Sequence, residues 1–140
     1  MRCLRWLSLS FFAALVICGA ARAEQLRFKA DLAAGPGITS PGKGTATATL
    51  DTATKTLTWD VEYSGLSGSA TGAHIHGPAD PGKDAGVVVP FSGNLASPIK
   101  GSATLTDAQI GQLEGGKWYI NIHTAANKGG EIRGQLLRGS

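Results

Sequence analysis

From residue 26 onward the chain is a series of short runs in which apolar and polar residues alternate, separated by clusters rich in glycine, proline and asparagine. A repeat of two is the pattern of a strand with one face in a core and the other toward water. Leu26, Phe28, Ala30 and Leu32 alternate with Arg27, Lys29 and Asp31, which predicts a first strand. Residues 35–44, with two prolines and four glycines, predict a loop. Residues 45–50 predict a second, Thr/Ala-rich strand, and residues 51–55 a turn. The clearest run follows, with Leu57, Trp59, Val61 and Tyr63 on one side and Thr56, Thr58, Asp60 and Glu62 on the other. Trp59 is expected at the centre of the core.

Residues 71–77 predict a further strand, followed by a polar loop over residues 78–86. Residues 87–91 are expected at a sheet edge, because Pro90 has no amide to give a central ladder. Residues 99–105 continue the series. Thr106 and Gln109 then have the spacing of a capping box, in which hydroxyl and amide satisfy each other's free backbone donors. With Ile110 and Leu113 three apart and Gly115-Gly116 to stop it, this predicts one short helix. Residues 117–124 and 131–137 predict a closing hairpin, with Asn127 and Gly129 available for positive φ in the turn. The fold class is therefore all-β: an antiparallel, Greek-key-like β-sandwich or barrel of about seven or eight strands with one short helix. Its expected core is Phe28, Leu57, Trp59, Val61, Ile75, Val88, Leu105, Ile120, Ile122 and Ile132.

The first residues depart from this rhythm. Arg2 and Arg5 precede an apolar stretch from Leu7 to Ala21, which ends in Ala21-Arg22-Ala23. That is the pattern of a signal peptide over residues 1–23 with cleavage near Ala23, leaving residues 24–140 as one domain in the periplasm or outside the cell. The stretch is shorter than the roughly twenty apolar residues of a spanning helix, so no membrane span is expected. Lipidation at Cys18 is the competing reading, and Ile17 is a poor residue to precede a lipidated cysteine.

Removing this segment changes the charge. The formal +3 comes from Arg2, Arg5 and Arg22, and the remaining domain balances ten Lys and Arg against ten Asp and Glu. Such a domain lacks the basic footprint of a nucleic-acid binder. Cys3 and Cys18 also lie in the segment, so the domain is expected to hold together by burial, without disulfides.

Candidate chemistry rests on three histidines. His74 and His76 flank Ile75 in one expected strand, and His123 follows Trp118, Ile120 and Ile122 in another. If the isoleucines face inward, all three imidazoles face outward, with His74 and His76 about 7 Å apart at Cβ. They would converge on Cu or Zn if the two strands are neighbours, since neutral imidazole suits both ions. The alternative is structural, with imidazoles bonding loop carbonyls and holding residues 78–86 against the sheet. Glu131 shares the outward parity, which places it near His123 as an acceptor orienting that ring or as an oxygen ligand; pairing with Arg133 or Lys128 is the ordinary alternative. Asp80 and Asp84 are further candidate ligands, or simply turn formers. No serine, cysteine or carboxylate pair sits in a nucleophile motif, and no glycine-rich loop has phosphate-cradling spacing, so a hydrolase reading has little behind it.

Gly72-Ala73-His74-Ile75-His76-Gly77-Pro78-Ala79, the Leu105 to Gln109 helix start, Trp118-Tyr119-Ile120-Asn121-Ile122-His123-Thr124 and Gly130-Glu131-Ile132-Arg133-Gly134-Gln135 together resemble the CHRD domain. That domain is named from chordin and is also found in secreted bacterial proteins. The resemblance implies a compact extracellular β module without an established activity, acting as a binding or structural unit toward an unknown protein or small ligand. Lys128 stands where many relatives have proline. A fainter likeness is to copper/zinc superoxide dismutase, which would give His74, His76 and His123 the copper-ligand roles. The chain has no further histidine for a bridging or zinc position, so a two-metal site of that kind is excluded, and the rival reading is a copper-binding protein for storage, chaperoning or copper-only redox chemistry on the three histidines.

Overall fold

The structure, a computed structural model, describes residues 23–139. Cys3, Cys18 and nearly all of the expected signal segment lie outside the described residues. The strands are β1 (Gln25–Ala34), β2 (Lys43–Asp51), β3 (Thr56–Ser64), β4 (Ala70–His76), β5 (Val87–Pro90), β6 (Ile99–Thr104), β7 (Tyr119–Thr124), β8 (Ile132–Gln135) and β9 (Leu137–Arg138). One helix, α1 (Asp107–Glu114), precedes β7. Every ladder is antiparallel, and the strands form a nearly closed sheet in the order β5-β4-β7-β8-β1-β2-β3-β6, with β9 beside β1. Among the described residues no helix is long and apolar enough to cross a membrane.

The alternation seen in the sequence sets which side of each strand is buried. Leu26, Phe28, Ala30 and Leu32 of β1, Ala46, Ala48 and Leu50 of β2, and Leu57, Trp59 and Val61 of β3 are all buried in one cluster, together with Ile75, Ile120, Ile122 and Ile132. Trp59 stacks on Phe91 with ring centroids 4.7 Å apart. β3 lies next to the β6 edge and Phe91 directly follows the β5 edge, so this stack joins the two ends of the open sheet. The helix starts as expected: the Thr106 hydroxyl accepts from the Gln109 amide at 3.2 Å, and the Gln109 side chain accepts from the Thr106 amide at 2.9 Å.

Three expectations need correction. Val88 is only half-buried, and Val89 takes the core position, because Ile75 pairs with Val89 while His76 pairs with Val87, which leaves Val88 as the extra residue of a bulge. The final strand breaks at Leu136, whose amide bonds the Trp118 carbonyl at 2.9 Å, and the chain then moves its pairing to β1 as β9. In the β7–β8 turn the positive φ belongs to Gly130, at 120°, and to neither Asn127 nor Gly129. A Cβ at residue 130 would overlap the Asn121 side chain, so both the backbone conformation and the close approach require glycine there.

The loops at one end of the sheet are held by a single buried group. Glu131 is fully buried, and its carboxylate accepts five hydrogen bonds: from the Ser40 hydroxyl, the Ser67 amide and hydroxyl, the Thr124 hydroxyl and the Asn127 side chain, at 2.6–3.2 Å. The β1–β2 connection, the β3–β4 connection and the β7–β8 turn thus meet on one anion. Burial alone would raise its pKa, but the hydrogen bonds from Ser40, Ser67 and Thr124 together outweigh burial and hold it at about 2.

Glu131→Gln is expected to cost about 2–4 kcal/mol at neutral pH, since hydrogen bonds to a charged acceptor are worth about 1.5–3 kcal/mol each and are not additive. The folded carboxyl titrates below its ordinary 4.5, so its contribution is complete above about 4.5 and is lost as the pH falls toward about 2. Urea denaturation of both proteins across that window should show the difference shrinking with acid. A difference that stays constant would assign the stability to something other than the charge.

Candidate metal centre

Antiparallel pairing of β4 with β7 builds the site. Ile75 lies opposite Ile120 and Ala73 opposite Ile122, and all four are buried. The intervening positions point to the other face: His74 opposite Asn121, His76 opposite Tyr119, and Gly72 opposite His123. His74 is therefore a diagonal neighbour of His123, and the rings meet edge to face with centroids 5.0 Å apart. His76 lies 5.5 Å from the His74 ring and 6.1 Å from the His123 ring. One ring nitrogen from each of the three lies within 4.8 Å of the others, and this is the one such cluster of potential ligands among the described residues. The closest pair is His74 Nδ1 and His123 Nε2, 3.1 Å apart. Gly72 leaves room for this contact, because a Cβ there would lie 3.2 Å from the His74 ring and 3.7 Å from the His123 ring.

The outward face is covered over His76, while His74 and His123 are half-buried. Residues 83–85 of the β4–β5 loop fold over it: His76 Nδ1 donates to the Ala85 carbonyl at 2.9 Å, and the Tyr119 hydroxyl accepts from the Ala85 amide at 3.0 Å. Arg133 reaches the same loop, donating to Asp84 at 2.7 Å and to the Lys83 carbonyl at 2.6 Å. Its guanidinium sits 3.7 Å from the centre of the Tyr119 ring, and that ring stacks on His76 at 5.0 Å. On the other side, His123 Nδ1 donates to the Lys128 carbonyl of the turn at 2.8 Å. Tyr119 and Asn121, expected outside by parity, are consequently buried.

These bonds fix the protons. A carbonyl only accepts, so neutral His76 and His123 carry hydrogen on Nδ1 and keep the Nε2 lone pair. His74 must then donate from Nδ1 to His123 Nε2 in the metal-free protein. His76 Nε2 is buried and has no hydrogen-bond partner among the described residues. Burial of His74, and after it the neighbouring His123 and His76, lowers the His74 pKa below the ordinary 6.5, so the neutral, ligating form is favoured.

The structure brings His74, His76 and His123 together and leaves the expected carboxylates elsewhere. Glu131 neither orients His123 nor pairs with Arg133 or Lys128; its oxygens are taken by Ser40, Ser67, Thr124 and Asn127, and the acceptor beside His123 is the Lys128 carbonyl. The turn rolls the side chain of Glu131 under the loops instead of along the strand face. Asp84 pairs with Arg133 and Asp80 with Lys117. A cavity of about 720 Å³, open to solvent, lies along the ends of β1, β2 and β3 and is lined by none of the histidines. Tyr119 and Arg133 are the site residues that strand parity alone could have flagged. The carbonyls of Ala85 and Lys128 have no signal in the sequence, because any residue supplies one.

With metal–nitrogen bonds of about 2 Å, nitrogens 3.1 Å apart subtend roughly 100° at a shared ion, within the range of tetrahedral and trigonal sites. The separations reach up to 4.8 Å, beyond the limit of about 4 Å for two such bonds, so the rings would have to close by about 1 Å to share one ion. The backbone carbonyls on Nδ1 of His76 and His123 are the outer contacts that usually orient a metal-binding imidazole.

A model of the CHRD domain matches residues 28–136. The chain belongs to the CHRD domain family. The match runs from within β1 to just beyond β8 and takes in all three histidines of this CHRD domain, the capped helix and Glu131. No curated protein and no solved structure matches the chain.

In their neutral forms all three histidines of the metal-free CHRD domain should be Nδ1–H tautomers, which ring ¹⁵N shifts measure directly; an Nε2–H signal from His76 would contradict the loop bond. Because the folded pKa of His74 is depressed, the unfolded chain takes up a proton first as the pH falls below about 6.5. Stability is therefore expected to decline below that pH, and the decline should weaken in His74→Ala.

Proposed function

We propose that the protein is an exported, non-enzymatic CHRD module that binds a single copper ion on His74, His76 and His123, as a storage or carrier site. The observation that carries this reading is the buried nitrogen of His76, without a partner among the described residues, in a ring clustered with those of His74 and His123. Burying a polar atom without a partner costs free energy, and a metal ion would satisfy it together with His123 Nε2 and with His74 Nδ1, whose hydrogen would shift to Nε2. Imidazole nitrogen is a ligand that suits copper. Export is supported by Arg2 and Arg5 ahead of the apolar stretch and by Ala21-Arg22-Ala23 at its end. The absence of a nucleophile, or of a carboxylate free to move a proton, among the groups around the rings supports binding rather than catalysis.

The structural role of the histidines is compatible with this one. The loop bonds use the Nδ1 atoms of His76 and His123, whereas the ion would use the nitrogens that face inward.

After incubation with copper and desalting, the protein is expected to retain one copper per chain by atomic absorption. Free copper 100-fold above its dissociation constant should add about 2.7 kcal/mol of stability. His74→Ala and His123→Ala should lose both effects. No retained copper and no shift of the melt would leave only the structural role.

A further inference from the structure

We infer that the site is built for monovalent copper, Cu(I), in preference to Zn(II) and Cu(II), an inference that rests on the copper reading above. The ligand set is three imidazoles with no thiolate or carboxylate among them. Three neutral donors leave the ion with its whole charge. Every carboxylate that might offset it is already committed: Asp84 to Arg133, Asp80 to Lys117, and Glu131 to five donors. On the covered side the Arg133–Asp84 pair adds no net negative charge, and the member that approaches is the cation, its guanidinium lying on Tyr119 and Tyr119 on His76.

Charge magnitude then decides. The solvation lost when an ion leaves water grows with the square of its charge, so a divalent ion loses about four times as much as a monovalent one in the same half-buried place. An anionic ligand normally offsets the difference, and here there is none. Coordination number acts in the same direction. Zn(II) takes four ligands and, with three from protein, completes its shell with water. Cu(I) is satisfied by three ligands, and His76, the ligand on the covered side, is buried beneath residues 83–85. Gly72 leaves the His74 and His123 rings free to draw in around so small a shell.

The test is a set of competition titrations of the purified protein at pH 7. Cu(I) is measured anaerobically with ascorbate against a chromophoric Cu(I) chelator, Cu(II) in air against an amino-acid chelator, and Zn(II) against a fluorescent zinc indicator. The dissociation constant for Cu(I) is expected to be at least about 100-fold below those for Zn(II) and Cu(II), and His123→Ala should weaken Cu(I) binding by a similar factor. Zn(II) or Cu(II) bound as tightly as Cu(I), or a His123→Ala protein with unchanged Cu(I) affinity, overturns the inference. Divalent binding lost in the histidine variants would leave the copper reading intact and remove only the preference, whereas failure of all three ions to bind would remove both.

Discussion

The pairing of Ile75 with Ile120 across β4 and β7 is the contact on which the site depends. Both side chains are fully buried, and a strand alternates its faces strictly. Sliding one strand by a single residue would bring His74 or Asn121 into the apolar interior and push an isoleucine out. The hydrophobic core therefore enforces a register that it gains nothing from on the opposite face, where three imidazoles come together as a consequence. None of the histidines needs to contribute to folding for their arrangement to be set.

This explains which features were legible in the sequence. Alternating runs identified β1 to β4 and the buried side of each, because the signal is local and the solvent face carries Thr, Asp, Glu, Lys and Arg. The helix was legible because its cap is made by residues three apart. The common outward parity of His74, His76 and His123 followed from the same rule. That β4 and β7 are neighbours did not, since β5, β6 and α1 intervene in the chain and only the closing of the sheet brings the two together. Parity also misled where a second layer covers the sheet. Tyr119 and Asn121 point outward yet are buried, because the loops over residues 83–85 and 127–130 supply a lid that no alternation pattern records. Val88 was displaced by a bulge, a one-residue insertion in the ladder that leaves no mark on composition.

Glu131 was the largest departure, and its position clarifies how the site is held. As a charged residue beside a turn it read as a surface group, but its partners are hydroxyls and amides from three separate connections. One of them, Asn127, belongs to the turn whose next residue, Lys128, gives its carbonyl to His123. The turn is thus fixed from two sides, by a buried anion below and an imidazole beside it. Gly130, with its positive φ and its contact with Asn121, lets the chain make this tight return. The anion and the histidines are one mechanical unit although they share no bond.

That connection bears on why the rings converge with their lone pairs inward. A free imidazole chooses between two tautomers, and a flexible side chain among several rotamers, so an isolated His-x-His pair has many arrangements that do not bind a metal. Here the Ala85 and Lys128 carbonyls select one tautomer for His76 and His123, and the loops that carry those carbonyls are anchored independently, one through Arg133 and the other through Asn127 and Glu131. Two of the three rings are thus ordered during folding, and an ion shared by all three would need the closure of the rings and the shift of the His74 proton from Nδ1 to Nε2. The structural reading of the histidines and the metal reading cease to compete at this level: the carbonyl bonds that hold the loops down are the ones that turn the remaining nitrogens toward a common point.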